Sequence, residues 1–312
     1  MTHVLQSAAW AAFQRSEGVN GLTAAGNDWS VSGLVETGPM RTRRVYAPYG
    51  PSFASAEGLD AGLEALESQS RSRGAVFVRV EPVGVDEQAE SDAKQVLTRR
   101  GYHRVHHVQP EDTWRLDLSV GHDAILKGIR GGQRRAYQSA ERHGVVVRAS
   151  TDPHDVRLLT DLMGQVSERK DIHLRDAEYI ADQAAALMPS GTAKLYLATV
   201  DGAIAAASLA YDHGDTRYYA HAGADYQYRK QAANVVLLVQ MILDAQADGK
   251  KWFDFYGIAP DDAPADHPWQ GFTKFKKSFG GQARHYLGTW EKPVRPLHYW
   301  IYETGRKLIA HK

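Results

Sequence analysis

The feature that most constrains this chain is a series of markers that occurs twice. In the first pass Leu59, Leu63 and Leu66 form an amphipathic helical stripe within residues 56–73. Gly74, the β-rich run Ala75-Val-Phe-Val-Arg-Val80, a helix to Arg100, Gly101, a strand over 102–108 and Thr113-Trp114 then follow. In the second pass an apolar helix over 235–247 leads to Gly249, the strand Trp252-Phe-Asp-Phe-Tyr256, a helix, Gly280, a strand and Thr289-Trp290. The pairs Gly74/Gly249, Gly101/Gly280 and Thr113/Thr289 are separated by 175, 179 and 176 residues. Near-constant offsets point to duplication of one α/β unit. A length of 312 residues agrees, since a domain commonly takes about 100 to 200 residues.

The remaining pattern fills in both units. A helix is predicted from Ser7 to Glu17, where Trp10 and Phe13 share a face, Ser7 can cap and Gly18 stops the pattern. Strands follow at 29–37 and 43–47. A helical stretch over 119–143 carries Lys127, Arg130, Arg134, Arg135 and Arg142, and leads to a strand at 145–148. Two helices (155–169 and 177–188) and a meander at 194–200, 203–211 and 216–222 complete the second unit. This α+β order resembles the acetyltransferase-like GNAT fold, used twice in tandem.

Composition removes several chemistries. With no cysteine there is no disulfide framework, no thiol nucleophile and no Cys-bearing zinc site. Thirty-seven basic residues balance 37 acidic ones, which argues against a chain coated in positive potential. The N-terminus lacks a basic and then apolar leader, and the most apolar helix, 234–243, is too short to span a bilayer. A cytoplasmic protein with no integral membrane segment is expected. His106 and His107 would point to opposite faces of a strand and cannot easily share a metal ion. His-Glu-x-x-His, Gly-x-Ser-x-Gly and Walker-type loops are absent from the sequence.

A GNAT enzyme that uses acyl-CoA opens its central helix with a Gly-containing loop whose amides meet the pyrophosphate. Here that segment reads Arg229-Lys-Gln-Ala-Ala-Asn234, so Cβ atoms stand where glycines would allow close approach. No cofactor is expected, and acetyl-CoA is disfavoured.

Five further motifs occur in order: Gln6-Ser-Ala-Ala-Trp10, Tyr46-Ala-Pro-Tyr-Gly-Pro51, Leu116-Asp-Leu118, Asp254-Phe-Tyr-Gly-Ile258 and Phe275-Lys-Lys-Ser-Phe-Gly280. Together they resemble the FemXAB family, aminoacyl-tRNA-dependent transferases that build peptidoglycan cross-bridges. The resemblance covers nearly the whole chain. It implies two GNAT-like domains, with the C-terminal segment returning to complete the first: residues 1–118 plus 290–312, and 119–289. It also implies that the coiled-coil arm of some members is missing, as no extended heptad tract occurs.

Roles follow from the resemblance, each beside a plainer alternative. Lys276 matches a lysine thought to act at the aminoacyl ester, where a positioned cation suits a developing oxyanion, and Lys274 and Lys277 beside it are assigned to tRNA contact; the alternative is that all three form a solvated helix face whose cations favour the dipole. Phe275 would stack on the terminal adenosine of the tRNA, or be ordinary core. Arg175 and Tyr179 match a pair that holds the acceptor precursor, the alternative being a surface ion pair of Arg175 with Asp171 or Glu178. Asp117 matches a base candidate, the alternative being a paired strand carboxylate. Tyr219 and His221 fall in the acceptor-binding strand. Two departures stand out: Gln14 where some members have lysine, and His221 where a tyrosine is usual.

Residues 270–312 hold nine cations against Glu291 and Glu303, a local +7 that suits contact with the end of a tRNA. The reading is an aminoacyltransferase with aminoacyl-tRNA as donor and an amine of a peptidoglycan precursor as acceptor. Its competitors are the same transfer onto a peptide or nucleoside antibiotic intermediate, a non-catalytic tRNA- or precursor-binding module, and an acyl-CoA N-acyltransferase.

Overall fold

The computed structural model describes residues 2–38, 41–170 and 175–310. In chain order the first half forms α1 (Ala8–Ser16), β1 (Asn20–Ala25), β2 (Trp29–Thr37), β3 (Arg43–Ala47), β4 (Ser52–Phe53), α2 (Ala56–Ser72) and β5 (Phe77–Val80). It continues through β6 (Val83–Gly84), α3 (Glu87–Ser91), α4 (Ala93–Arg99), β7 (His103–Arg104), β8 (Asp112–Asp117), α5 (His122–Gly128) and α6 (Gly131–Gln138). Next come β9 (Val145–Ser150), α7 (Val156–Lys170), α8 (Ala177–Leu187), β10 (Ala193–Val200), β11 (Ala203–His213) and β12 (Thr216–Ala224). The chain closes with α9 (Ala233–Ala247), β13 (Trp252–Gly257), α10 (Gln270–Lys277), β14 (Gln282–His285), β15 (Trp290–Pro293) and α11 (Pro296–Ala310).

Two compact units result: Met1–Glu111 with His285–Lys312, and Asp112–Arg284. In the first, the sheet runs β6-β4-β2-β3-β5-β15-β7, with β1 also paired to β2. Helix α2 packs on this sheet through Leu59, Leu63 and Leu66, all fully buried. Ser55 caps it, its hydroxyl accepting from Gly58 N at 2.9 Å.

In the second unit the order is β14-β8-β13-β12-β11-β10-β9. Helix α9 is apolar nearly all round and buried, as its sequence demands, and packs against β9 to β13. Helix α7 approaches β12 so closely that a Cβ on Gly223 would lie 2.7 Å from Leu162.

The duplicated markers have matching conformations. Gly74 and Gly249 follow the ends of α2 and α9 at φ of 70° and 75°, and Gly101 and Gly280 both lie at 82°. At the first pair the same helix-ending bonds recur, Ala75 N to Ser70 O and Lys250 N to Ala245 O. The strands that carry the Thr-Trp pairs or begin within them are exchanged: β15 lies between β5 and β7, and β8 lies between β13 and β14. Each repeat therefore supplies its last strand to the other unit's sheet. The expected boundary at 118/119 left β8 in the first unit. Its ladder with β13, Asp117 opposite Trp252 and Leu116 opposite Phe253, places it in the second, and the division falls at Glu111/Asp112.

Candidate functional site

The site is built where two strands part. β12 and β13 pair in parallel only over Thr216–Tyr218 and Trp252–Asp254, although β12 runs on to Ala224 and β13 to Gly257. Beyond that point a cavity of about 640 Å³ opens. Its walls come from β12 (Tyr219 to Ala224), Tyr256 of β13, Asn234 and Leu237 of α9, and Phe272, Phe275 and Lys276 of α10. Parted strands leave backbone polar groups and apolar side chains facing one space, a common basis for a ligand site.

Helix α10 turns one face into this space. Gly271, Phe272, Phe275 and Lys276 line it at helical spacing, whereas Lys274 and Lys277 are exposed and do not. Lys277 Nζ lies over the Trp114 ring at 5.1 Å and 3.4 Å from Asp261 Oδ1. The helix is fastened at several points: Ala259 N donates to the buried Thr273 hydroxyl at 2.8 Å, Trp114 Nε1 to Gly280 O at 2.6 Å, and Arg130 N to Ser278 O at 2.8 Å. Such fastening fixes the direction of Lys276.

Lys276 Nζ donates to Gly257 O at 2.5 Å. Burial of the ammonium lowers its pKa to about 8, and the neighbouring Asp254 carboxylate acts in the opposite direction. Asp254 is itself buried, which raises its pKa against the pull of Arg115, the Tyr256 amide, Thr113 and Lys276. Its carboxylate accepts from Tyr256 N at 2.7 Å and from the Thr113 hydroxyl at 3.2 Å. The β13–β8 register shifts between Asp254 and Gly257, and Tyr256 adopts φ 63° within that irregularity. This bulge presents the Gly257 carbonyl to Lys276.

On the opposite wall, β12 has a bulge at Ala220, since Leu209 pairs with His221 and Ala210 with Tyr219. His221 Nε2 lies 3.1 Å from Gln183 Oε1, which also accepts from Tyr211 OH at 2.6 Å. Burial, assisted by Arg175, lowers the His221 pKa to about 4, so the imidazole is neutral at physiological pH. Burial raises the Tyr219 phenol well above its ordinary value. Arg175 reaches the cavity and lies over the Tyr179 ring at 4.9 Å.

The expected site residues therefore separate. Lys276, Phe275, Arg175, Tyr219 and His221 line one cavity. Phe275 is both lining and core, with its ring 5.0 Å from Phe279. Arg175 precedes α8, so it and Tyr179 do not form an i, i+4 pair within one helix; Tyr179 supports the guanidinium from behind the lining. Asp171, the alternative partner of Arg175, lies outside the described residues, as does Lys312 of the basic stretch. Gln14 is buried in α1.

Asp117 does not join the cavity. It pairs opposite Trp252, four residues along β8 from Thr113, which pairs opposite Gly257. That places it roughly 13 Å along the strand from the Lys276 contact. Its carboxylate accepts from Ser119 N at 2.9 Å and Ser119 Oγ at 2.6 Å, which holds its pKa low. The acid beside Lys276 is Asp254, and sequence reasoning missed it. The signal was there: a single carboxylate inside the otherwise aromatic run Trp252-Phe-Asp-Phe-Tyr256 must be buried and partnered. Gln183 and Tyr256 carried no comparable sign.

Among the described residues no group of three or more metal-binding side chains occurs, and no helix is long and apolar enough to cross a membrane. Two duplicated α/β units with a cavity at the parting of two parallel strands define a tandem GNAT-like protein. A model of the FemAB family matches residues 1–203 and 200–307, and the chain belongs to that family.

Over 91 residues the chain is 35% identical to aminoacyltransferase FemA of Staphylococcus epidermidis, a match covering 29% of this chain and 21% of that relative. The match thus spans about a fifth of the relative's length. Among solved structures, FemX superposes with a TM-score of 0.86 at 18% identity, covering 96% of this chain and 94% of that one. L-PGS from Bacillus licheniformis gives 0.57 at 13%, covering 100% and 99%. A tandem GNAT protein from the clavulanic acid biosynthesis pathway gives 0.51 at 14%, covering 86% and 79%. At these identities the structural likeness concerns the fold.

Proposed function

We propose that the chain is an aminoacyl-tRNA-dependent aminoacyltransferase that joins the tRNA-borne amino acid to an amine of a peptidoglycan precursor. The observation that carries this reading is Lys276: a fastened, inward-directed ammonium, its pKa lowered to about 8 by burial, on the wall of a largely apolar cavity. Membership of the FemAB family and the local identity to FemA supply the reaction class.

In the proposed reaction the neutral acceptor amine attacks the ester carbonyl carbon and forms the C–N bond. The carbonyl oxygen becomes an oxyanion, and the Lys276 ammonium stabilises it; a positioned donor of this kind is worth about 10²–10³ in rate. Collapse breaks the ester C–O bond, the terminal ribose oxygen leaves, and the proton lost by nitrogen ends on that oxygen. No protein nucleophile is needed, in keeping with a chain free of cysteine. Phe275, on the same wall, offers a face on which the terminal adenine can stack. Arg175, with Tyr179 behind it, and Tyr219 with His221 are assigned to the acceptor.

A second reading keeps the chemistry and moves the acceptor to a peptide antibiotic intermediate. What favours it is the neutral His221 imidazole where a phenol is usual in the family. Incubation with charged tRNAs, and separately with acetyl-CoA, against both acceptor types, followed by acceptor mass, tests these assignments. A mass gain of one aminoacyl residue on the precursor is expected. Gain only from acetyl-CoA overturns the donor, and gain only on the antibiotic peptide overturns the acceptor.

A further inference from the structure

Helix α11 is apolar on two sides. One side is bound to its own unit: Tyr302 is buried with its ring 5.1 Å from Phe77, and Tyr299 lies 5.4 Å from the same ring. The Tyr299 hydroxyl donates to Glu291 Oε2 at 2.7 Å. The other side is in water. Leu297 is 68% exposed, Trp300 65% and Ile301 46%, and their i, i+3, i+4 spacing makes them one ridge. Other exposed apolar side chains, such as Val120 and Val146, stand far apart in the sequence and need no explanation.

The ridge carries no acid. Glu303, the one acid of residues 292–312, is paired with Arg306 at 3.0 Å. That segment holds five cations (Lys292, Arg295, Arg306, Lys307 and Lys312), a net charge of +4. Lys292 is paired with Glu67, whereas Arg295 is exposed at the start of the helix. A tryptophan flanked by aliphatics on an exposed helix side, with a net positive segment and acids absent from the ridge, matches an anionic bilayer surface. The indole and aliphatics enter the headgroup boundary while Arg295, exposed at the start of the helix, meets lipid phosphate.

We infer that the Leu297–Trp300–Ile301 ridge of α11 docks the protein on an anionic membrane surface. This docking needs neither tRNA nor acceptor, so it stands apart from the transfer chemistry.

The test uses the full chain in flotation with vesicles of phosphatidylcholine alone and of equimolar phosphatidylcholine and phosphatidylglycerol. The wild type is expected to float with the mixed vesicles, less with the neutral ones, and less again at high salt. The double variant Leu297→Glu, Ile301→Glu should lose about tenfold or more of the vesicle affinity, because two side chains no longer enter the bilayer. Val120→Glu, on another part of the surface, should float like the wild type. An unchanged thermal transition in the double variant shows that the loss is not unfolding; if that variant does not fold, Trp300→Ala takes its place with the same expectation. Failure of the wild type to float, or undiminished flotation of the variant, overturns the inference. So does a lipid-independent dimer abolished by the same substitutions, since the ridge would then belong to a second copy of the chain.

Discussion

Lys276 Nζ donates to Gly257 O at 2.5 Å, across the turn between the strand that holds Asp254 and the helix that faces the cavity. Burial lowers the proton affinity of this ammonium, the Asp254 carboxylate opposes that, and one strand bulge and one fastened helix set its direction.

If Lys276 is the oxyanion donor, Lys276→Ala should reduce turnover by about 10² or more, as loss of a positioned donor does. Lys274→Ala, on the exposed face, should change it little except through salt-sensitive tRNA binding. Single-turnover rates with a charged tRNA separate the two, and equal, mild losses from both would leave only a basic patch.

The proton on Lys276 predicts an alkaline limb. The pKa is lowered to about 8, so the charged donor is present below that pH and lost above it. Turnover should therefore fall as pH rises through about 8. His221, lowered to about 4, is neutral across this range and should add no limb between pH 5 and 9. Stability should move the other way: the unfolded chain holds its lysine proton up to the ordinary value, so this group's contribution to folding stability rises between about pH 8 and 10.

Asp254→Asn tests the coupling. Asparagine can still accept from Tyr256 N, yet it removes the charge that holds the Lys276 pKa up. The alkaline limb should move to lower pH with the fold retained, as read by the pH–rate profile beside a melting curve. An unmoved limb would mean that the two groups do not communicate.

Tyr256 adopts a backbone conformation that costs a non-glycine residue about 1–2 kcal/mol. Its ring also meets Tyr218 at 5.9 Å. Comparing Tyr256→Ala with Tyr256→Gly cancels the lost ring contact, and glycine should be the more stable by about 1 kcal/mol in denaturant titrations. Equality would show that the bulge relaxes.

Arg217 is fully buried and bonds to Asp212 at 2.6 and 2.7 Å, to Asp248 at 2.7 Å and to Tyr196 at 2.7 Å. Arg217→Ala removes this partner from Asp212 and Tyr196, although Asp248 keeps Lys194, and should destabilise the chain by about 3–5 kcal/mol. A melting transition within a degree of the wild type would contradict this.

The sequence by itself marked the duplication and most of the longer helices and strands, and singled out Lys276 as a candidate. Glycines that end helices, apolar stripes of period 3.6 and the run Phe275-Lys-Lys-Ser-Phe-Gly280 are local patterns, and local patterns survive reading in one dimension. Tertiary structure decided which side chains meet. The exchange of β8 and β15 between sheets follows from strand pairing, which no neighbouring residues encode, and it moved the unit boundary to Glu111. Ladder register put Asp117 at the far end of β8 and Asp254 beside Lys276. Helix rotation turned Lys276 inward and left Lys274 and Lys277 outside, although all three read alike as a basic cluster. Packing also chose between the two apolar sides of α11, burying Tyr302 and half-burying Tyr299 against Phe77 and leaving Leu297, Trp300 and Ile301 to water. Periodicity marks a face as apolar, but only the partner across the interface determines whether that face is covered.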